Sequence, residues 1–285
     1  MGLNFILEYI VNYAILVVLY NKEMKDSETL NSLSKYSFPT GDIRVLNNGP
    51  YKINQDNDLF DKLKLKYNNI EVITHLDNRP LSKIYNEFIG DASYDYYVIL
   101  DDDSELTSDF MSSIGNANVD IILPQILSKT DGSIYYPVKN GLVVNECKSL
   151  DLAGVVSITS GVIIKRDLIK KVRARFSNVF DERFALYGID TSFFLRLQRL
   201  RDKGVMLSAK CESILYHSLS RTEGKMPKFR RIERLYDIAV TARHYPEYVT
   251  FYHLVKKIIL SLANLDFQGA AILIKYYTIG KHPRC

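Results

Sequence analysis

The stretch YYVILDDD, residues 96–103, decides the fold of this 285-residue chain. It consists of a continuous apolar run, Tyr96–Leu100, that ends directly at Asp101, Asp102 and Asp103. An unbroken apolar run of this length is typical of a strand that is covered on both faces, as in a parallel sheet between layers of helices. The three carboxylates would then lie at the carboxyl edge of the sheet, where open α/β sheets bind their ligands.

Segments before and after this stretch alternate between strand-like and helix-like patterns. The predicted strands are Ala14–Tyr20, Ile43–Leu46 and Ile70–Thr74, the predicted helices are Ser27–Tyr36, Asp58–Tyr67 and Leu81–Asp91, and Thr107–Ile114 and Val119–Leu123 continue the series. Strands that alternate with helices predict a mostly parallel sheet with helices on both faces. Polar clusters such as Asn47-Asn48-Gly49 follow these strands and are expected at the same edge as the aspartates.

Beyond about residue 126 the pattern is mixed. Ser157–Ile164 predicts another buried strand, and Asp190–Lys203 predicts a helix that is closed by Gly204. Pro227–Tyr245 is basic and helical, and Glu247–Tyr277 predicts one or two helices with a broad apolar face.

The composition is that of an ordinary globular protein, with 47% apolar and 25% charged residues. Three widely spaced cysteines argue against a disulfide framework and favour a reducing compartment. The apolar N-terminal stretch has no basic start and contains Glu8, so neither a signal peptide nor a membrane span is expected. We therefore expect a cytoplasmic protein.

The second half of the chain is basic. Residues 1–120 hold 10 basic and 19 acidic side chains, whereas residues 121–285 hold 27 and 14. A dense basic run comprises Arg221, Lys225, Lys228, Arg230, Arg231 and Arg234. It could cover phosphates, face anionic lipid or simply be a solvated helix face. Nucleic acid is not expected, because the run lacks interleaved aromatic side chains for base stacking.

The apolar helices over Tyr248–Tyr277 allow three interpretations: a core-packing lid, an oligomer contact or an interfacial membrane anchor. Their proximity to the basic run favours peripheral contact with the inner face of the cytoplasmic membrane. A homo-oligomer remains an open alternative.

Three adjacent carboxylates repel one another, and a divalent cation would offset that repulsion. Carboxylate oxygens suit Mg²⁺ or Mn²⁺, and such a cation could bridge a nucleotide diphosphate and stabilise the charge on it as it leaves. The alternative is a solvated acidic turn in which Ser104 or Thr107 caps the next helix. A calcium EF-hand loop fits less well, because it needs glycine where this chain has Leu106.

Motifs on both sides of the triplet occur in a characteristic order. They are Leu19-Tyr20-Asn21, Asn47-Asn48-Gly49, Asn78-x-x-Leu81-Ser82-Lys83-x-x-Asn86, Ser160-Gly161, Tyr187-Gly188-Ile189-Asp190 with Arg196, and Tyr216-His217-Ser218. The ordered set, over roughly residues 13–245, resembles the family 2 glycosyltransferases, which are inverting enzymes with a GT-A fold. Within that family the chain is most similar to bacterial rhamnosyl- and galactofuranosyltransferases of surface glycan synthesis.

The resemblance implies an α/β fold of the GT-A nucleotide-diphospho-sugar transferase type, with a mostly parallel central sheet flanked by helices and a C-terminal helical extension. Residues 1–245 would be the catalytic domain, with a nucleotide-binding half at about 13–125 and an acceptor half at about 126–245. Residues 246–285 would be the extension. The implied reaction moves a hexose from a UDP- or dTDP-sugar to a hydroxyl of a lipid-linked or growing cell-surface polysaccharide.

The resemblance also implies the roles of individual residues. The implied donor-binding residues are Tyr20, Asn21, Asn47, Asn78, Lys83, Asp101 and Asp102. Many relatives have aspartate at the position of Asn47, and Asn47-Asn48-Gly49 also fits a turn with positive φ. Lys83 could reach the donor diphosphate or lie on a solvated helix face.

The implied metal ligands are Asp103, His217 and Asp101, with Mn²⁺ or Mg²⁺ as the cofactor. Asp103 is the preferred direct ligand, whereas Asp101 would contact the ribose or complete the metal shell. Asp102 would point toward the sugar or into solvent. Imidazole binds Mn²⁺, so His217 fits a third ligand, although a lone histidine is often only a polar residue.

Asp190 is the implied general base, which would take the proton from the acceptor hydroxyl as that oxygen attacks. The competing interpretation is a plain helix N-cap, where aspartate is favoured. Relatives often carry a second acidic residue at the positions of Ile189 or Ser192, so Asp190 lacks an obvious carboxylate partner. Arg196 is interpreted as structural.

Two other functions fit parts of the sequence. A sugar-nucleotide pyrophosphorylase has a similar sheet but needs a glycine-rich loop after the first strand, and residues 20–25 contain no glycine. A non-catalytic glycan- or lipid-binding module would be favoured by loss of the acidic residues, which this chain keeps.

Overall fold

The computed structural model describes residues 11–55, 57–90, 92–218 and 227–285. The strands are β1 Tyr13–Leu19, β2 Phe38–Asn47, β3 Tyr67–Thr74, β4 Tyr96–Asp101, β5 Glu105–Leu106, β6 Ile121–Ser128, β7 Ile134–Tyr136, β8 Val138–Lys139, β9 Leu142–Val143, β10 Val155–Val156, β11 Ile163–Lys165 and β12 Ala209–His217. The helices are α1 Glu28–Leu33, α2 Asp58–Lys66, α3 Leu81–Phe88, α4 Ser108–Gly115, α5 Arg166–Phe176, α6 Ile189–Asp202, α7 Lys228–His244, α8 Phe251–Ala263 and α9 Phe267–Ile279.

The strands of the main sheet lie in the order β3-β2-β1-β4-β11-β6-β12-β5, and β7 pairs with β6. β1 is parallel to both β2 and β4, and β12 is parallel to β6. β11 runs antiparallel between β4 and β6. The register pairs Leu19 with Asn47 and Val18 with Asp101. The ends of β1, β2 and β4 therefore meet at one edge of the sheet, as the sequence predicts.

Helices cover both faces of this sheet. Every residue of β1 is buried, and so is β4 up to Leu100. Side chains that alternate along these strands belong to two separate apolar clusters, one on each face: Leu16 and Ile99 lie in one, and Val17 and Val98 lie in the other. The predicted α/β class with a mostly parallel central sheet is confirmed, together with the C-terminal helices.

The segment before β11 corrects one sequence prediction. Ser157–Ile164 was expected to be a strand, but β11 begins only at Ile163. Gly161 has φ +86°, and the Ser160 hydroxyl accepts a hydrogen bond from the backbone N–H of Asp101 at 3.0 Å. The residues before β11 thus leave the sheet and line the edge where β4 ends. α5, which follows β11 directly, was not predicted as a helix.

A buried ion-pair network holds α7 against the sheet domain. Asp181 is 1% exposed, and its carboxylate accepts hydrogen bonds from the Arg183 Nε at 2.7 Å and from the Tyr245 hydroxyl at 2.7 Å. The Arg196 guanidinium on α6 lies 3.2 Å from the same carboxylate. This geometry supports the structural interpretation of Arg196.

Replacing Asp181 with alanine is expected to lower the free energy of unfolding by about 3–5 kcal/mol, because it leaves the buried Arg196 without its counter-charge. Hydrogen bonds and the two arginines lower the pKa of Asp181 to about 2 in spite of its burial. The carboxylate is therefore stabilising above the unfolded pKa of about 4, and this contribution of about 2 kcal/mol is lost as the pH falls through about 2. Urea unfolding at neutral and acidic pH measures both effects.

Asp151→Ala is the matched control, because Asp151 forms an aspartate–arginine pair with Arg201 that is 50% and 42% exposed. Exposed pairs contribute about 0–1 kcal/mol, so this control should unfold almost as wild type does. Equal destabilisation by the two substitutions would contradict the assigned role of Asp181.

Candidate active site

A cavity of about 1080 Å³ opens at the carboxyl edge of the sheet. Its walls come from the ends of β1 and β4, from the segment before β11, from the start of α6 and from α7. Polar side chains that line it include Tyr20, Asp101, Thr159, Asp190, Asp237 and Arg284. The cavity thus collects side chains from distant parts of the sequence.

The end of β4 and the end of β12 bring together Asp101, Asp103 and His217. One ligand atom from each lies within 4.8 Å of the others. The Asp103 Oδ1 is 3.1 Å from the His217 Nδ1, and the Asp101 Oδ2 is 3.7 Å from the His217 Nε2. The buried Asp103 Oδ1 has no hydrogen-bond partner among the described residues. An orphaned carboxylate oxygen beside a second carboxylate and an imidazole fits a bound divalent cation.

Two buried serines fix the position of His217. The Ser104 hydroxyl lies 3.1 Å from the His217 Nδ1 and 3.0 Å from the Ser160 hydroxyl. Ser160 in turn holds the backbone of Asp101. Hydrogen bonds of this kind orient metal-binding imidazoles in proteins. Of the two caps considered for α4, Thr107 is the one in place, since its hydroxyl accepts from the backbone N–H of Phe110.

The protonation of the cluster also suits a cation. Burial and the nearby Lys129 lower the pKa of His217 to about 4, so the imidazole is neutral at physiological pH. Burial and the charge of Asp102 raise the pKa of Asp103 to about 6. Burial at the base of the cleft, with Asp103 and Asp190 nearby, raises the pKa of Asp101 well above its ordinary value, although its side chain is partly open to the cavity. A divalent cation would relieve this accumulation of negative charge.

Asp102 contacts the loop that follows β1. Its carboxylate forms an ion pair with Lys22 at 2.9 Å, and its backbone carbonyl accepts from the Ser27 hydroxyl at 3.1 Å. Asp102 thus ties the end of β4 to the loop after β1. Asp102 also lines the cavity, so its contact with the donor stays a prediction.

The implied donor-binding residues divide into two groups. Tyr20, Asn78, Asp101 and Asp102 line the cavity, whereas Asn21, Asn47 and Lys83 are not among the described residues that line it. The Asn47 amide is buried in its own turn, donating to the Tyr51 carbonyl at 2.7 Å and accepting from the Gly49 N–H at 3.0 Å.

The contacts of Asn47 correspond to the turn interpretation, and its contact with the donor base stays a prediction. The neighbouring Asn48 lines the cavity instead, and it pairs with the backbone of Arg79 through its amide oxygen at 2.9 Å and its amide nitrogen at 3.0 Å.

Asp190 is the second residue of α6, and the N-cap position belongs to Gly188. The carboxylate does not cap its own helix: its Oδ1 accepts from the backbone N–H of Thr159 at 3.1 Å and from the Thr159 hydroxyl. The simple N-cap interpretation therefore fails. Burial raises the pKa of Asp190, and the two Thr159 hydrogen bonds oppose that shift.

A second carboxylate beside α6 was missed by the sequence analysis. Asp237 on α7 lines the cavity, and a Cβ added to Gly188 would lie 2.5 Å from its Oδ1. Its carboxylate accepts from the Thr241 hydroxyl at 2.9 Å, and burial raises its pKa to about 6, with the charge of Asp190 adding to the shift. No motif spacing pointed to Asp237, because only the packing of α7 brings it to the cleft.

Two arginines also reach the cavity. Arg234, the last residue of the basic run, lies over the Tyr187 ring at 5.4 Å. Arg284 donates to the Asn78 carbonyl at 3.3 Å and pairs with Glu233 at 3.1 Å. Of the other residues in the run, Arg231 pairs with Asp266, whereas Arg221 and Lys225 lie outside the described residues.

The sheet order, the helices on both faces and the C-terminal helices together constitute a GT-A fold, with a carboxylate–histidine cluster at the carboxyl edge of its sheet. The structure is similar to that of S. aureus TarS, with a TM-score of 0.56 and 15% identity over 92% of this chain and 43% of TarS. TarS 1-349 in complex with UDP gives a TM-score of 0.58 and 13% identity over 96% of this chain and 93% of that one. The complex of TarS 1-349 with UDP-GlcNAc gives a TM-score of 0.57, again at 13% identity. At this level of identity the likeness shows the fold alone.

Sequence comparisons are less specific. No family model matches the chain. A curated protein of Acanthamoeba polyphaga mimivirus named "Probable bifunctional E2/E3 enzyme" is 26% identical over 170 residues, which is 58% of this chain. The chain spans 12% of the length of that relative.

Proposed function

We propose that this chain is a metal-dependent, inverting glycosyltransferase of family 2, which moves a hexose from a UDP- or dTDP-sugar to a hydroxyl acceptor. One observation carries the proposal: the Asp101–Asp103–His217 cluster and Asp190 line the same cavity. The GT-A fold and its likeness to a protein solved with UDP and UDP-GlcNAc support a nucleotide-sugar donor.

In this proposal Asp101, Asp103 and His217 would hold Mn²⁺ or Mg²⁺, and such an ion would supply positive charge for the donor diphosphate. Arg234 and Arg284 add fixed positive charge at the same cavity and bind anionic oxygens of the donor. Tyr20 and Asn78 contact the donor from the ends of β1 and the loop before α3. Asp102 acts through Lys22 by holding the loop after β1 in position.

Asp190 removes the proton from the acceptor hydroxyl. The Thr159 hydrogen bonds both go to its Oδ1, which fixes the carboxylate and leaves Oδ2 for the acceptor. Asp237 lies beside Gly188, and the charge of Asp190 contributes to its raised pKa.

The finer parts of the proposal follow the resemblance to rhamnosyl- and galactofuranosyltransferases. The acceptor is a lipid-linked or growing cell-surface polysaccharide, and the protein works on the inner face of the cytoplasmic membrane. Residues 1–245 form the catalytic domain, with donor and acceptor halves that meet near residue 125, and residues 246–285 form the extension. Among the described residues no helix is long and apolar enough to span a bilayer.

A panel of UDP- and dTDP-sugars, incubated with the protein and Mn²⁺, tests the function. We expect release of the nucleoside diphosphate from one donor, loss of release with EDTA and recovery with added Mn²⁺ or Mg²⁺. Formation of pyrophosphate from a nucleoside triphosphate and a sugar phosphate would instead indicate a pyrophosphorylase. Donor binding in calorimetry without metal dependence or turnover would indicate a binding module.

A further inference from the structure

α8 and α9 form a helical hairpin that leaves much of its apolar surface in contact with solvent. Leu254 is the only buried residue of α8, and the buried residues of α9 are Gly269, Ala270 and Leu273. The large apolar side chains left exposed on the hairpin are Phe251, Tyr252, Ile259, Leu260, Leu262, Leu265, Phe267, Ile274 and Ile279. Such an apolar surface indicates a binding surface rather than scattered exposure.

This hairpin is nevertheless well formed. The Thr250 hydroxyl caps α8 by accepting from the His253 N–H, and the Asp266 carboxylate caps α9 by accepting from the Gly269 N–H at 3.0 Å. Leu254 and Leu273 pack on α7 in a small core of their own. The exposure of the remaining apolar side chains is therefore a property of a folded hairpin.

The turn between the helices and the first residue of α9, residues 264–267, which we call the tip, also exposes apolar side chains. Leu265 lies in the tip with φ +57° and 75% exposure, and Phe267 follows at 64%. The left-handed conformation favours glycine or asparagine, and a solvent-facing site favours a polar residue. Leucine satisfies neither local requirement, so the tip is built to place an apolar side chain outward.

The hairpin carries positive charge beside this apolar surface. α8 contains Lys256 and Lys257, α9 contains Lys275, and neither helix contains an acidic residue. Asp266, in the turn, is paired with Arg231. Lysines next to exposed aliphatic and aromatic side chains are typical of helices that lie in the interface of an anionic bilayer.

We propose that the α8–α9 hairpin docks on an anionic lipid bilayer, with Leu265 and Phe267 inserted at the acyl boundary and Lys256, Lys257 and Lys275 facing the headgroups. A bilayer fits better than a second copy of the chain, because a symmetric contact through this surface would gather lysines of one sign from both copies. The hairpin continues from α7, which contributes Arg234 and Asp237 to the cavity. Docking would therefore fix the cleft relative to the membrane surface, a consequence that rests on the proposed function, whereas the docking itself does not.

Vesicle flotation of the whole chain tests this proposal without any sugar donor. Wild type should bind phosphatidylcholine vesicles that contain phosphatidylglycerol and should bind pure phosphatidylcholine weakly. The double variant Leu265→Asn with Phe267→Gln should lose at least about tenfold in partition to the anionic vesicles, since two apolar side chains no longer insert. Asparagine suits the positive φ of residue 265, so this variant should fold as well as wild type.

The matched control is Leu65→Gln with Met206→Gln, which removes two apolar side chains that are 87% and 85% exposed elsewhere on the surface. It should bind vesicles as wild type does. Lys256→Gln with Lys257→Gln should reduce the preference for anionic vesicles.

The proposal is overturned if wild type does not float with anionic vesicles or if the tip variant floats equally well. The proposal is also overturned if light scattering shows that the sole effect of the tip variant is to convert a dimer to a monomer. Nucleoside diphosphate release, measured without vesicles, should be unchanged in the tip variant. This measurement separates a failure of membrane docking from a failure of the proposed function.

Discussion

Replacing Asp190 with asparagine is expected to lower sugar transfer about a thousandfold, which is the scale of a general base. Asparagine has nearly the same shape, and its amide oxygen still accepts the hydrogen bonds that Thr159 gives to Asp190. It cannot take a proton from the acceptor hydroxyl. The loss should therefore appear in kcat, with little change in the KM for the donor.

The pH profile gives a second measure of the same role. In the proposed function Asp190 acts as a carboxylate, so the rate of transfer should fall on the acid side as that group is protonated. Burial raises the pKa of Asp190, which places this acid limb above the range of an ordinary aspartate. At saturating Mn²⁺, which keeps the metal-binding carboxylates ionised, the asparagine variant should lose the part of this limb that Asp190 contributes.

Asp167→Asn is the matched control for Asp190→Asn. Asp167 is the second residue of α5, as Asp190 is of α6, and its side chain is 53% exposed. The control removes the same charge from the same helical position and should leave transfer unchanged. If Asp190→Asn kept wild-type turnover, Asp190 would not be the base, and Asp237 would be the next residue to replace.

Features that depend on the local sequence pattern were predicted, whereas features that depend on contacts between distant segments were not. The runs that became β1 and β4 were predicted because a strand buried on both faces must be apolar throughout. The segment before β11 was predicted wrongly because its apolar residues face the cleft and the core, and periodicity alone does not distinguish these from a strand. In that segment Gly161 and Ser160 make the backbone turn that the local pattern hides.

The same distinction applies within the site. Asp101 and Asp103 were expected at the carboxyl edge because they end an apolar strand, and the family resemblance implied that His217 joins them there. Asp237 could not be predicted, because it sits in the middle of a helix and reaches the cleft only through contact with Gly188. Asn47 lies at the end of β2 as predicted, and its amide makes one donated and one accepted hydrogen bond within its own turn.

Asp103→Asn should change stability in opposite directions with and without metal. In the metal-free protein the pKa of Asp103 is raised to about 6 from a usual value near 4, so ionisation of this group opposes folding. That cost, about 2 kcal/mol, is present above pH 6 and disappears below about pH 4. Metal-free Asp103→Asn should accordingly unfold at a higher urea concentration than wild type at neutral pH, and at the same concentration at pH 4.

Added Mn²⁺ should reverse this order. At a hundredfold excess over its Kd the ion should stabilise wild type by about 3 kcal/mol, and it should stabilise the variant far less, because a carboxylate ligand has been lost. Transfer by the variant should fall by about a hundredfold or more.

Asp109→Asn, which removes an exposed carboxylate from the first turn of α4, should match wild type in all of these measurements. A variant that gained stability without metal and still gained as much from Mn²⁺ as wild type would place the cation elsewhere. Higher stability without metal, combined with a smaller stabilisation by Mn²⁺, is specific for loss of a metal ligand. Replacing a residue that only supports the fold would lower stability under both conditions.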